Sequence, residues 1–385
     1  MNILYIMRYW PVYGGGETIT VTLSNELVKR GHHVHIAYLY EKICDPMPYQ
    51  IDDSVITHKL YTVEGFKHKD VNALRQIIIA NSIDVMINQW GNTTLCSKAK
   101  RGTKCKLITC WHLDVIRKPD RIPNGKFNVI KAFIPKTLLE VYNKNKQIRQ
   151  HKLNYKLSDK YVFLSKSFVN EYLNVSKTKD IDHKLYAISN PLTYNFEYNL
   201  DDYPFKQKKV LFVGRIYEYH KRLSYVLKIW QHIEQNDKLN EWTLDIVGGG
   251  PDMQETKDLA ESLNLKRVSF KGFCNPQPFY ERSSVFMMTS AFEGFGMTLV
   301  EAQQYAVVPM AMDTYGSLHD IIENGKNGII IKDNDICGYG KALEKLLIDN
   351  AYRKNLAISG LLSCKLFKIE NIINEWESLF NIITK

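Results

Sequence analysis

Two glutamates, Glu293 and Glu301, bracket the Gly-rich stretch "AFEGFGMTLVEA" at residues 291–302. Gly294 and Gly296 free the backbone of Phe295, Gly296 and Met297 to turn N–H groups toward a ligand. Thr298 and Leu299 are expected to open a helix whose positive end suits a phosphate. Glu293, just before that turn, and Glu301, one turn into the helix, are placed to accept hydrogen bonds from hydroxyls of one ligand. Sugars are recognised in this way. An ordinary alternative is one glutamate complementing the helix dipole and one facing solvent. A glycosidase acid and nucleophile would be another use of two carboxylates, but a neighbouring diphosphate site argues against it.

That neighbouring site is read from "VGRIYEYHK", where Arg215 ends an apolar strand and Lys221 starts the next helix. A guanidinium fork and an ammonium point charge together suit a diphosphate, though two solvated surface charges would look the same. Gly14, Gly15 and Gly16 stand between the first strand and its helix, where backbone N–H groups at a helix start hold anions. Ile19 stands where a dinucleotide fingerprint would need glycine, and no G-K-[ST] follows, so neither that fingerprint nor a Walker A loop is present. "IVGGGP" at 246–251 reads mainly as structural. His112 and Asp114 in "TCWHLDV" lie just past another strand, with His112 able to reach a hydroxyl.

These residues need a scaffold of alternating strands and helices. "NILYIM" is a buried strand, followed by the glycines, a helix with Ile19, Leu23, Leu27 and Val28 at helical spacing, and a strand from Val34 to Tyr40. The pattern restarts at "KKVLFVGRI", residues 208–216. The alternation predicts parallel, doubly wound sheets, with ligands outside the carboxyl ends of the strands. The fold class expected is α/β with two Rossmann-like domains facing each other across a cleft. Their bounds are 1–195, with the terminal helix 367–385 packing back on it, and 196–366. A hinge is expected in the aperiodic 190–209. The last helix puts Ile369, Ile372, Ile373, Trp376, Leu379 and Phe380 on one face.

The chain of 385 residues is 45% hydrophobic and 24% charged, the balance of a globular protein. No apolar run approaches the roughly 18–20 residues of a membrane span, and the opening "MNILYIMRYWP" lacks the form of a signal peptide. Seven scattered cysteines with no C-x-x-C pair suggest reduced thiols and give no zinc site. A cytoplasmic protein is expected. The formal charge of +10 is lopsided: residues 1–200 hold 29 Lys and Arg against 17 Asp and Glu, and residues 201–385 hold 22 against 24. Much of the excess lies in 126–166, where a helix starting at Pro135 would place Ile134, Leu138, Val141 and Tyr142 on one side. A basic amphipathic helix of this kind suits either an anionic membrane surface or a solvated face over the core.

Taken together, "VGRIYEYHK", "IVGGGP", "FKGF", "AFEGFGMTLVEA" and "ENGKNGIII", in this order, resemble the retaining glycosyltransferases of family four, also called group 1, which have the GT-B fold. The likeness is densest over 208–350; "GGGE", "WHLD" and "ISNPL" extend it into the first half. The resemblance implies a hexosyl transfer from a nucleoside diphosphate sugar, UDP-linked first and GDP-linked second, to a hydroxyl of a glycan or lipid-linked acceptor. It implies that Arg215 and Lys221 bind the diphosphate. Glu293 would contact the transferred sugar, with the amides of Phe295, Gly296 and Met297 beside it. The Thr298 and Leu299 amides would hold a phosphate and Glu301 the ribose. Gly15 and Gly16 would approach the β-phosphate, His112 the donor sugar, and Phe273 would lie where the base is held. No metal or cofactor is implied, and the β-phosphate would help deprotonate the acceptor on the face it leaves. The chain departs from the family at "HKR", residues 220–222, where glycine usually follows the lysine, which puts the turn after Lys221 in question. A sugar-nucleotide epimerase of similar architecture and a basic binding protein without enzymatic activity are the rival readings. No nucleic-acid motif accompanies the charge.

Overall fold

Strand β1 (Asn2–Trp10) alternates sides: Ile3, Tyr5 and Met7 enter one buried cluster, Leu4 and Ile6 the other. A strand apolar on both faces must be covered on both faces, which a parallel sheet with crossover helices achieves. The structure, a computed structural model, describes residues 1–385 except 12–13, 42–49, 61–67, 90–91 and 117–135. It divides into two units, Met1–Thr193 with Phe367–Lys385, and Tyr194–Leu366.

In the first unit β1 is followed by α1 (Gly15–Lys29), β2 (His33–Glu41), β3 (Ile56–Lys59), α2 (His68–Ala80), β4 (Val85–Asn88), α3 (Thr93–Lys100) and β5 (Lys106–Trp111). Next come α4 (Lys136–Leu157), β6 (Lys160–Phe163), α5 (Lys166–Ser176) and β7 (Leu185–Ala187). The sheet runs β3-β2-β1-β4-β5-β6-β7 with every pairing parallel. Leu74 and Ile78 of α2 with Leu95, Cys96 and Ala99 of α3 cover one face. The other is covered by Ile19, Leu23 and Leu27 of α1 together with Ile372, Ile373, Trp376, Leu379, Phe380 and Ile383 of the chain's last helix.

The second unit contains β8 (Lys209–Val213), α6 (Glu218–Lys221), α7 (Leu223–Glu234), β9 (Thr243–Val247), α8 (Met253–Ser262) and β10 (Val268–Gly272). It continues with α9 (Gln277–Arg282), β11 (Val285–Met288), α10 (Met297–Gln304), β12 (Val308–Asp313), α11 (Leu318–Ile321), β13 (Ile329–Lys332), α12 (Ile336–Ile348) and α13 (Asn350–Ser363). The last helix, α14 (Ile369–Thr384), belongs to the first unit. The second sheet is also wholly parallel, in the order β10-β9-β8-β11-β12-β13. The strand order reverses direction between β1 and β4 in one sheet and between β8 and β11 in the other. Crevices outside the carboxyl ends of strands at such reversals are where open α/β sheets bind ligands.

The segment 190–209, read as aperiodic, contains a short 3-10 turn at Leu200–Phe205. "IVGGGP" is a packing device, as expected. A Cβ on Gly248 would lie 1.9 Å from the carbonyl oxygen of Gly214, and one on Gly250 would lie 2.1 Å from that of Ile216. Only glycines let the turn after β9 rest on the backbone after β8.

Candidate functional site

At the reversal point of the second sheet, the segments following β8 and β11 are tied together by their own backbones. The Ala291 N–H donates to the His220 carbonyl at 2.8 Å, and the Thr289 hydroxyl donates to the Lys221 carbonyl at 2.8 Å. His220 Nε2–H donates to the Phe292 carbonyl at 2.8 Å while its ring stacks on Phe292, centroids 4.4 Å apart. This clasp brings Lys221 and Glu293, distant in sequence, into a buried ion pair. Lys221 is 8% exposed and Glu293 9%. Burial by itself raises a carboxyl group, but the Lys221 ammonium and His220, 3.7 Å from Oε2, outweigh it and hold Glu293 at about 2. The site therefore presents a fixed carboxylate beside a fixed ammonium. The Lys221 stem runs close over Gly214, with 3.4 Å between its Cε and the place a Cβ would occupy.

Arg215, at the mouth of the same segment, is exposed and lies over the Tyr217 ring at 5.7 Å. The turn after Lys221 keeps the left-handed geometry that glycine favours although Arg222 occupies it, at φ 49° and ψ 53°. Arg222 is compensated by a 2.6 Å ion pair with Asp333 and by lying over the Tyr225 ring.

The Gly-rich turn after β11 is built as anticipated, with one correction. Gly296 sits at φ 96°, where a Cβ would press 2.9 Å from the Tyr315 hydroxyl, and α10 begins at Met297. Leu299, expected to offer its amide to a phosphate, donates it instead to the Gly296 carbonyl at 2.9 Å. The first turn of the helix closes one residue early and takes that donor. The Met297 and Thr298 amides precede any intrahelical bond. Phe295 is buried, its carbonyl accepting from Ser317 Oγ at 3.1 Å. Glu301 faces inward: it is buried and accepts a 3.0 Å hydrogen bond from the Tyr280 hydroxyl. Phe273, just past β10 and beside Gly249, is 80% exposed, a flat apolar ring presented to solvent.

In the first unit Gly14 caps α1, and Gly15 and Gly16 are its first helical residues. His112 follows β5, and its Nε2–H donates to the side-chain oxygen of Gln89, just past β4. Burial pushes His112 down to about 4, so it is a neutral hydrogen-bonding ring at physiological pH. Asp114 is buried, and its carbonyl accepts from the Trp111 indole. Ile134 and Pro135, read as the start of the basic helix, lie outside the described residues. From Lys136 onward the helix exists as α4, 22 residues long. Leu138 and Tyr142 are 61% and 63% exposed, beside exposed Lys146, Arg149, Lys152 and Lys156.

A family model described as glycosyl transferases group 1 matches residues 201–360, and one described as glycosyltransferase family 4 matches residues 13–191. The chain belongs to the group 1 glycosyltransferases. Among relatives is the GalNAc-α-(1→4)-GalNAc-α-(1→3)-diNAcBac-PP-undecaprenol α-1,4-N-acetyl-D-galactosaminyltransferase of Campylobacter jejuni. It is 27% identical over 95% of this chain and 94% of its own. The amylovoran biosynthesis glycosyltransferase AmsD of Erwinia amylovora is 26% identical over 59% of this chain and 63% of its own. In three dimensions, sucrose-phosphate synthase of Thermosynechococcus elongatus superposes with a TM-score of 0.76 at 18% identity, covering 99% of this glycosyltransferase and 98% of that chain. HepE of Anabaena in complex with UDP gives 0.74 at 14% identity, over 99% and 100%. The fold is therefore the two-domain GT-B fold of the family.

His220, Gln89, Tyr280 and Gln304 escaped the sequence reading. His220 was visible only as part of the departure at "HKR". Gln89, Tyr280 and Gln304 carry no motif, and their significance comes from contacts with residues far away in the chain.

Proposed function

We propose that this glycosyltransferase moves a hexosyl group from a nucleoside diphosphate sugar to a hydroxyl of a glycan or lipid-linked acceptor, with retention of anomeric configuration and without a metal. The observation that carries the reading is the buried Lys221–Glu293 pair at the sheet reversal, next to a helix start that opens on a left-handed glycine. An ammonium, the exposed Arg215 guanidinium and the two amides of Met297 and Thr298 suit a diphosphate leaving group whose charge grows during the reaction. Glu293, held ionised, accepts hydrogen bonds from sugar hydroxyls. Glu301 takes the ribose and Phe273 offers a face for the base.

The second unit is assigned to the donor and the first to the acceptor, while Gly15 and Gly16 are the residues proposed for the β-phosphate and His112 for the donor sugar. Neutral His112 serves as a hydrogen-bonding partner of a hydroxyl. The departing β-phosphate takes the acceptor proton on the same face of the sugar. A uridine diphosphate donor is favoured because solved relatives of this fold carry UDP, as HepE does, and a GDP-sugar ranks second. The acceptor class is supported by relatives named for polysaccharide and for undecaprenol-diphosphate-linked substrates. A lipid-linked acceptor would be met at the cytoplasmic face of a membrane, and α4 is the surface proposed to meet it.

Calorimetric binding of UDP, GDP and ADP to the wild type and to Lys221→Ala tests the donor site. One nucleotide is expected to bind selectively, and the substitution to weaken it by about tenfold or more. Absence of binding by all three would overturn the reading. Product analysis with donor alone separates transfer from epimerisation.

A further inference from the structure

Glu301 is not simply displayed on α10; it is gripped. Tyr280, on the short helix α9, is wholly buried and donates its hydroxyl to Glu301 Oε2 at 3.0 Å. Its ring stacks on Tyr305 at 5.8 Å and 12°, and Tyr305 stacks in turn on Phe196 at 4.6 Å and 12°. Tyr194 meets both tyrosines edge-on, at 6.5 Å from Tyr280 and 5.7 Å from Tyr305. Gln304, on the same helix as Glu301, donates to the carbonyls of Tyr194 and Phe196 at 2.7 and 2.8 Å. Lys206 closes the other end, its ammonium donating to the Tyr280 carbonyl at 2.8 Å. The chain segment 194–206, α9 and α10 thus form one body around a single carboxylate.

Burial, then Glu301 and the neighbouring phenols, push the Tyr280 hydroxyl far above its usual range, so it remains a donor at every physiological pH. A carboxylate accepting a bond from a rigid buried donor loses its freedom to rotate. A hydroxyl pair on a ligand meets such a group best when it is held in advance.

We propose that Tyr280 is the positioning residue for ribose recognition: it orients Glu301 toward the cis-diol of the donor nucleotide and thereby sets selectivity for ribonucleotides over nucleotides lacking that diol. The inference rests on the assignment of Glu301 to the ribose made above. Tyr280 itself touches no substrate. Its effect passes wholly through the carboxylate, so it should appear only with ligands that carry the diol.

The test compares binding of UDP, GDP and ADP with their 2′,3′-dideoxy forms, by calorimetry, to the wild type, Tyr280→Phe, Glu301→Gln and the double variant. Tyr280→Phe keeps the stacked ring and removes one oxygen; Tyr305→Phe is the control, expected to match wild type. For the nucleotide the wild type binds, the diol form should be preferred by about tenfold or more, and Tyr280→Phe should remove most of that preference. Dideoxy binding should change by less than about twofold, since no contact to it is altered, and in the Glu301→Gln background the second substitution should add almost nothing. Equal weakening of both forms by Tyr280→Phe would show a general structural role and overturn the inference. So would an unchanged preference. If Glu301→Gln leaves the diol preference intact, the ribose assignment itself fails, and a wild type that binds none of the nucleotides removes the donor reading together with this one.

Discussion

At the scale of single residues, the decisive object is an ion pair that no window of sequence displays. Lys221 and Glu293 were both singled out by type and position, Lys221 as a diphosphate ligand and Glu293 as a sugar ligand. Their pairing was not legible, because it depends on β8 and β11 being neighbours in the sheet, a matter of strand order and not of spacing. The turn at Arg222 shows the opposite case. A missing glycine suggested altered geometry, yet the left-handed turn persists, with the ion pair to Asp333 offsetting its strain. The pair makes a stability prediction. Removing the lysine as Lys221→Met strands a buried carboxylate, expected to cost about 3–5 kcal/mol at pH 7. Glu293 is held at about 2 in the folded state against its ordinary 4.5. The stabilisation from its ionised form is therefore fully present above pH 4.5 and is lost as pH falls toward 2. Urea unfolding at pH 7 and pH 4 should show the gap between variant and wild type narrowing at the lower pH. A gap that is constant or widens on acidification would mean that the pair does not hold the carboxylate ionised.

At the scale of elements, what could be read was what burial writes into local sequence. Apolar strands such as "VLFV" and "VFMM", and helices with apolar residues three and four apart, stood out because both faces of each sheet are covered. β3 and β7 did not, being strands of four and three residues at the two edges of the first sheet, with none of their residues fully buried. The start of α10 was misplaced by about one residue, enough to assign Leu299 a ligand-binding amide that its own helix turn consumes. The last helix was the most legible, since its apolar stripe repeats over four turns. Six of its side chains complete the first unit's core, across a long sequence gap, so that unit is not finished until α14 docks. Trp376→Ala should accordingly cost about 3–5 kcal/mol in the first unit's unfolding, as for other large buried side chains. Ile382→Ala, on the same helix but 54% exposed, should cost less than about 0.5 kcal/mol. Similar costs for the two would mean that the stripe does not contribute as packed core.

For the molecule as a whole, the question is why so much positive charge lies in one half of a chain whose proposed donor is held by the other. Among the described residues no helix is long and apolar enough to cross a membrane. α4 provides one. Leu138, Val141, Tyr142 and Leu153 stand exposed along it, interleaved with exposed Lys144, Lys146, Arg149, Lys152 and Lys156. The fully buried side chains of this helix are polar, His151 and Asn154, while Leu138 and Leu153 stay exposed. His151 is wholly buried between the Tyr161 hydroxyl at 2.6 Å and the Val115 carbonyl at 2.8 Å. The polar contacts anchor the helix and leave apolar and basic side chains together outside, the combination an anionic lipid surface binds at about 1 kcal/mol per basic residue. Sedimentation with vesicles containing phosphatidylglycerol is expected to carry the protein down at about 0.1 M salt, where the Debye length is about 10 Å, and to release it as salt is raised. Lys146→Glu with Arg149→Glu should reduce the bound fraction about tenfold or more while leaving nucleotide binding unchanged, because neither residue is among those assigned to the donor. Pure phosphatidylcholine vesicles should retain little. Equal binding to both vesicle types, or no effect of the reversals, would assign α4 to solvent and overturn its proposed role.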